Sequence, residues 1–304
     1  MPRLARNLTQ SIGSRIRAWA PEWVKARVPL VLKARARALL GVEPWPDLSV
    51  RHALFREARY RALRAAAAPF DVRKPNKPVL ERPHQASYLI ARWLADAGVK
   101  TAFQVGYANG RYLFYLSRMG IECGGTDLPA VETPWTAIPP AALDEAIRRR
   151  LLAVDFFALT PARLRAAWGD PRAFPLDVLF TEATFETMFP WRESGVSVPK
   201  YGAMSLDERR VLLEEKLPAQ LAELEGWVRN ILLIEPEPTA GGAGRVFEGC
   251  ARRLPGLRYS VWRFRPAFRR LFRLSPRSPT EQAVYAYVRD ARVTDALSAY
   301  AERG

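Results

Sequence analysis

Cysteine and histidine are nearly absent from this chain: Cys123, Cys250, His52 and His84 are the only ones in 304 residues. Neither cysteine has a second Cys or a His at metal-ligand spacing, so a zinc site, a disulfide framework and a His-rich catalytic centre are not expected. Both thiols read as small apolar groups, Cys123 in a core strand and Cys250 in a helix. Long hydrophobic runs are missing too. The longest, such as Val28 to Leu32, fall far short of the roughly 20 residues that a membrane span requires, so no transmembrane helix is expected. The basic, partly apolar N-terminus has no continuous hydrophobic block followed by a small-residue cleavage site. The expected location is therefore the cytoplasm.

Arginine is present in excess. The net charge is +16, and it is unevenly spread. Residues 1–77 hold 17 Lys/Arg against 5 Asp/Glu, and residues 262–277 hold six Arg and no acid, while 78–261 hold 21 basic against 22 acidic residues. The body is neutral and two segments carry the field. Such a surface attracts phosphate-bearing partners, nucleic acid or anionic lipid, unless it is simply a set of solvated helix faces.

In the N-terminal segment Leu4, Leu8, Ile12, Ile16 and Trp19 recur at helical spacing among arginines, which predicts a basic amphipathic helix. Further helices are predicted from Val31 to Leu40 and from Val50 to Ala67. Asp71 to Pro83, with three prolines, reads as a linker, which places a boundary between residues 1–77 and 78–304. Beyond it, helices are predicted over Gln85–Ala97, Gly110–Met119, Ala141–Leu152 and Ser205–Val228. Strands are predicted over Thr101–Val105, Ile121–Thr126, Leu176–Thr181, Ile231–Glu235, Arg258–Phe264 and Ala283–Arg289. Strands alternating with helices imply a mostly parallel sheet covered on both faces.

The string Phe103-Gln104-Val105-Gly106-Tyr107-Ala108-Asn109-Gly110 puts glycines four apart where a strand turns into a helix. A backbone that bends sharply and meets a ligand closely needs residues without Cβ bulk there. Small residues at 106, 108 and 110 fit better than the 106, 108 and 111 spacing of a dinucleotide fingerprint, because Arg111 stands at the last of these. This stretch resembles motif I of the class I (Rossmann-like) S-adenosylmethionine-dependent methyltransferases. Ile121 to Asp127 resembles that family's second strand, Val154-Asp155-Phe156-Phe157 the next motif, Leu176 to Glu182 the fourth strand, Ile231 to Pro236 the fifth, and the two terminal strands the sixth and the antiparallel seventh. The resemblance covers roughly residues 84–290 and implies a seven-stranded sheet with helices on both faces.

It also implies S-adenosyl-L-methionine as cofactor. The residues that would hold it are Gln104, Gly106, Tyr107, Ala108 and Gly110 at the turn, Asp127 on the ribose hydroxyls with Leu128 beside it, and Asp155 and Phe156 at the adenine. There are two departures. Gln104 stands where the family usually has an acid for the methionine amino group, and a neutral amide makes the weaker contact. Ala108 replaces the middle glycine. Looser binding, a modified cofactor and a domain without catalysis are all open on these grounds.

Methyl transfer needs orientation more than machinery, and an alcohol acceptor adds a general base. The candidates are Glu182 and Glu186, just past the fourth strand at the position where switch-point geometry puts ligands, and His84 at the helix entering the domain. The plain structural alternatives are solvated loop acids for the glutamates and a helix start for His84. The Asn/Asp-Pro-Pro-Tyr/Phe and Pro-Cys signatures of base-modifying enzymes are missing, so nucleic acid is the less favoured acceptor. An O or N atom of a small-molecule, sugar or lipid-linked acceptor is favoured. For residues 1–77, a lid or homo-oligomer arm, a peripheral contact with an anionic membrane, and a grip on RNA all remain open.

Overall fold

The structure, a computed structural model, describes residues 49–71, 81–129, 142–188, 199–236, 243–272 and 281–304. They belong to one compact unit. Among the described residues eight strands form one sheet: β1 (Thr101–Val105), β2 (Glu122–Asp127), β3 (Leu151–Ala153), β4 (Leu176–Glu182), β5 (Val228–Pro236), β6 (Arg258–Phe264), β7 (Gln282–Val288) and β8 (Ala301–Arg303). Their order is 3-2-1-4-5-7-6-8. The first five are parallel, β7 runs antiparallel to β5, and β6 pairs antiparallel with both β7 and β8. The fold is thus the α/β, mostly parallel sheet that the alternation predicts, with one strand more than seven. The extra strand is β8, three residues with two exposed, too short to show a period.

The α-helices longer than four residues among the described residues are α1 (Ala58–Ala66), α2 (Glu81–Asp96), α3 (Arg111–Arg118), α4 (Glu145–Arg149), α5 (Pro161–Trp168), α6 (Leu206–Val211), α7 (Leu217–Leu224), α8 (Ala243–Arg253) and α9 (Ala291–Leu297). The central strands are continuous apolar runs because both of their faces are buried. Val178, Phe180, Leu232, Ile234 and Val284 face α2, α3 and α9. Phe103, Val105, Leu179, Leu233 and Tyr285 face α5, α7 and α8. The buried Trp93 indole N–H of α2 donates to the Val293 carbonyl of α9 at 2.7 Å, which fixes the pair without leaving a polar atom unmet.

Three local expectations are corrected. The helix predicted over Ala141–Leu152 shrinks to α4, and Leu151–Ala153 pairs with Gly125–Asp127 as β3, so sheet pairing overrides a good helical pattern. The long helix predicted over Ser205–Val228 runs from Leu206 to Leu224, short of Val228, which opens β5, and it carries a π turn at Leu212–Lys216 next to Pro218, whose ring cannot sit against the carbonyl one turn back. The helix predicted over Val50–Ala67 starts only at Ala58, after a 3-10 turn at Ala53–Arg56.

Residues 49–71, assigned from sequence to the basic extension, pack in the same unit as the sheet. The rings of Phe55 and Tyr60 meet Tyr88 of α2 at 6.4 and 4.9 Å, and Gln85 exchanges two hydrogen bonds with the Val50 backbone. Its apolar side packs on α2, and Arg64 adds an ion pair to Glu81 of α2 at 2.8 Å. The predicted helices of residues 1–48 and most of the linker fall outside the described residues.

Candidate cofactor and acceptor site

Val105 pairs with Thr126 on one side and Thr181 on the other, and Thr181 pairs with Leu233. Gly106, Asp127 and Glu182 therefore leave the sheet side by side at its carboxyl end. The chain goes from β1 to neighbours on opposite sides, which makes this the switch point where open α/β sheets form a ligand crevice.

The turn after β1 is left-handed three times, with φ of +72° at Gly106, +48° at Ala108 and +76° at Gly110. Alanine is poorly suited to that region, and the turn is held there by Asp127. Its Oδ2 accepts the Ala108 N–H at 2.6 Å and its Oδ1 accepts the Leu128 N–H at 2.8 Å. Each carboxylate oxygen keeps a lone pair beyond the one it uses here, so the acid can order the turn and has the valence for two hydroxyls. Burial raises the Asp127 pKa, and the two amide donors oppose the rise. A Cβ on Gly106 would come within 2.6 Å of Thr184 Oγ1, and one on Gly110 within 2.7 Å of Leu143. Tyr107 is half-buried against Gly125, and burial together with the Asp127 charge raises its pKa. Asn109, which the sequence did not single out, ties the turn to the N-terminal stretch by donating to the Phe70 carbonyl at 3.3 Å.

Gln104 is buried beneath this turn. Its Nε2 donates to the Gly106 carbonyl at 3.2 Å, and its Oε1 has no donor at all. A buried acceptor left unmet costs about 1–3 kcal/mol. The methionine ammonium of an adenosyl ligand would supply the missing donor, so Gln104, the small-residue turn and Asp127 together fit such a group.

On the α5 face, Asp155 caps the turn Phe156–Ala158 by accepting the Phe157 N–H at 3.0 Å. Its Oδ2 is paired with Lys200 Nζ at 2.5 Å, and Tyr201 reaches Oδ1 at 3.5 Å. Phe156 is buried against Phe157 and Phe185, with both ring centroids at 5.6 Å. Lys200 carried no signal in the sequence, since nothing in the residues around it points across a gap of 45 positions to Asp155.

On the α2 and α3 face, Glu182 Oε1 accepts Gln282 Nε2 at 3.0 Å. The hydroxyl of Tyr112 faces it; burial and the Glu182 charge push the Tyr112 pKa far up. Burial lowers the Arg82 pKa, and the Glu182 charge counters it. The Gln282 Oε1 atom is buried without a donor. Glu186 lies in the helical turn Phe185–Met188, but its side chain is outside the described residues. His84 is not brought to this group. It sits inside α2 with Nδ1 3.2 Å from the Tyr115 hydroxyl and Nε2 2.9 Å from Asp71, and burial, with Arg111 and Arg64 adding, pushes its pKa down to about 3. A neutral imidazole with both nitrogens committed has no lone pair left for a substrate proton. Among the described residues no group of His, Cys, Asp and Glu is placed to hold a metal, and no helix is long and apolar enough to cross a membrane.

Fold and site together define an open, mostly parallel α/β domain with a glycine turn and an acid at its switch point. No protein-family model and no curated protein matches the sequence. Solved structures do resemble the chain. A TehB-like SAM-dependent methyltransferase from Corynebacterium glutamicum is 16% identical over 76% of this chain and 95% of its own, with a TM-score of 0.40. The 1,6-didemethyltoxoflavin-N1-methyltransferase of Burkholderia thailandensis, bound to S-adenosylhomocysteine, is 14% identical over 77% and 87%, at 0.41. An O-methyltransferase from Bacillus cereus in complex with S-adenosylhomocysteine is 12% identical over 78% and 91%, at 0.37. Similarities of this size carry no weight for activity.

Proposed function

We propose that this chain is an S-adenosylmethionine-dependent methyltransferase acting on an O or N atom of a small-molecule, sugar or lipid-linked acceptor. The observation that carries the reading is Asp127, whose carboxylate holds Ala108 of the glycine turn by one oxygen while keeping capacity for ribose hydroxyls. When bound, the cofactor supplies an electrophilic methyl group on a sulfonium centre. The chain's own residues bind and orient. Gln104 Oε1 would accept from the methionine ammonium, Phe156 would cover the adenine, and Asp155, beside Lys200, would face its amino group. Glu182, held by Gln282, would take the proton that the acceptor oxygen or nitrogen loses as it gains the methyl group and the sulfonium–methyl bond breaks, the electron pair staying on sulfur.

A second reading, an adenosyl-binding protein without catalysis, is favoured by one observation, the neutral Gln104 in place of an acid. The basic residues 1–77 suit contact with an anionic membrane or a second copy of the chain; nucleic acid is the less favoured partner. Calorimetry with S-adenosylhomocysteine tests the proposal. Binding by the wild-type protein that disappears in Asp127→Ala is expected, and a wild-type protein showing neither binding heat nor a thermal shift would sink it. Methyl incorporation into any component of a cell extract separates the enzyme from the non-catalytic binder.

A further inference from the structure

The geometry points to Glu235, at the end of β5, as the positioning residue of this site, ordering the glycine turn, the aromatic wall and Glu182 through one short turn of chain. The inference rests on an adenosyl group binding at Gly106 and Asp127. Glu235 is fully buried and follows the apolar run Ile231–Ile234, where a further aliphatic side chain would be the ordinary choice. A buried carboxylate is tolerated only when its oxygens are met by donors. Here three converge: the Thr181 hydroxyl at 2.7 Å, the Thr184 N–H at 3.0 Å and the Phe185 N–H at 3.1 Å. The last two are backbone groups of the turn that follows β4.

That turn is strained. Ala183 has a φ of +51° and donates its N–H to the Ile234 carbonyl at 2.9 Å. A non-glycine residue stays in this region only where its surroundings over-determine it, and the grip of Glu235 on the next two amides is such a constraint. Three parts of the site depend on the result. The Thr184 hydroxyl donates to the Val105 carbonyl at 2.9 Å and fills the space that a Cβ on Gly106 would need. The Phe185 ring lies 5.6 Å from Phe156 and 6.4 Å from Phe157. Glu182 is the residue immediately before the turn. One carboxylate thus fixes the floor of the glycine turn, one wall of the adenine side and the start of the acceptor side, acting through Thr181, Thr184 and Phe185.

The full chain carrying Glu235→Gln is the first test, because the change keeps volume but replaces one accepting oxygen with an NH2 that cannot take an amide hydrogen. Affinity for S-adenosylhomocysteine is measured by calorimetry, and amide hydrogen exchange is read at Thr184 and Phe185. The expected result is at least a tenfold loss of affinity and at least tenfold faster exchange at those two amides, with β5 and β7 amides unchanged. Thr184→Val, which leaves the carboxylate in place, is expected to lose affinity about threefold, and the double variant less than the product of the two losses. Affinity within twofold of wild type in a folded Glu235→Gln protein, or faster exchange spread through β5 and β7, would overturn the assignment. Should Glu235→Gln fail to fold, unchanged affinity in Thr184→Val overturns it instead. A wild-type protein that binds no S-adenosylhomocysteine removes the proposed function, while the exchange comparison still decides whether Glu235 holds the turn.

Discussion

The two ends of the sheet use similar polar residues to opposite effect. At the amino end, Asp177 accepts the Lys100 and Thr101 N–H groups at 2.7 and 3.1 Å, and Asn230 donates to the Asp177 carbonyl while accepting the Arg289 and Asp290 N–H groups, both at 3.1 Å. Every one of these contacts closes a strand end that would otherwise fray. At the carboxyl end, Gln104 and Gln282 each bury an oxygen with no donor. The two non-glycine residues with positive φ among the described ones, Ala108 and Ala183, are also there. Within the strands, the unmet acceptors among the described residues and the strained backbone thus fall at the same end, which is where the proposed function puts the ligand.

Removing one aspartate from each end is the sharpest way to break this contrast. Asp127→Ala is expected to weaken S-adenosylhomocysteine binding by about a hundredfold, the scale of two charge-assisted hydrogen bonds lost together. Asp177→Ala is expected to leave that affinity within about twofold while costing about 1–2 kcal/mol of stability through the two amides it orphans. Calorimetry and thermal melts on both variants decide the matter; a binding loss in Asp177→Ala would erase the distinction.

Gly106→Ala probes the carboxyl end from the backbone. The new methyl would sit 2.6 Å from Thr184 Oγ1 at a φ of +72°, so overpacking and left-handed strain together should cost about 2–4 kcal/mol. Adding Thr184→Ala should return the overpacking share and leave the strain. If the single and double variants melt at the same temperature, Thr184 is not what closes the turn.

His84 belongs by chemistry with the satisfied end, although the sequence offered it as a base. Its pKa of about 3 lies below the ordinary histidine value near 6.5. Between these values the unfolded chain binds a proton that the folded one refuses. The contribution of the buried neutral ring is therefore whole above pH 6.5 and is lost as pH falls toward 3. Wild-type protein should lose melting temperature more steeply from pH 6.5 to pH 4 than His84→Asn does. Equal slopes would show that His84 titrates elsewhere than inside the fold.

What was legible in the sequence follows the same division. The strands β1, β2, β4 and β5, the 106/108/110 spacing and Asp127 are local patterns, and in the structure the turn and Asp127 adjoin at the carboxyl end of those strands. β3 was hidden because Leu151–Ala153 continues a helical pattern and becomes a strand only by pairing with β2. Glu235, Thr184, Lys200 and Gln282 were hidden for a different reason. Their partners lie 51, 79, 45 and 100 residues away, and no local spacing carries such a pairing. His84 was misleading because a histidine beside a proline at a helix start looks exposed until Asp71 and Tyr115 close over it.

Gln104 gives the smallest expected effect and the finest test of what an unmet acceptor is for. Gln104→Met removes the orphaned oxygen together with the Nε2 bond to the Gly106 carbonyl, so the two effects offset and the ligand-free protein should change in stability by less than about 1 kcal/mol, unlike the usual loss for a core substitution. If the oxygen serves the methionine ammonium, the same variant should lose about 3–10-fold in affinity for S-adenosylhomocysteine, the worth of one ammonium to neutral-oxygen hydrogen bond. Its affinity for methylthioadenosine, which lacks the amino-acid end, should not change. Gln104→Glu should lower the ligand-free stability and raise the affinity for S-adenosylhomocysteine, because a charged oxygen binds an ammonium better but is costlier to bury without one. Equal losses for both ligands in Gln104→Met would mean that the side chain supports the turn through its bond to the Gly106 carbonyl. In that case the unmet oxygen would be a cost of the fold and the contrast between the two ends would narrow to Ala108, Ala183 and Gln282.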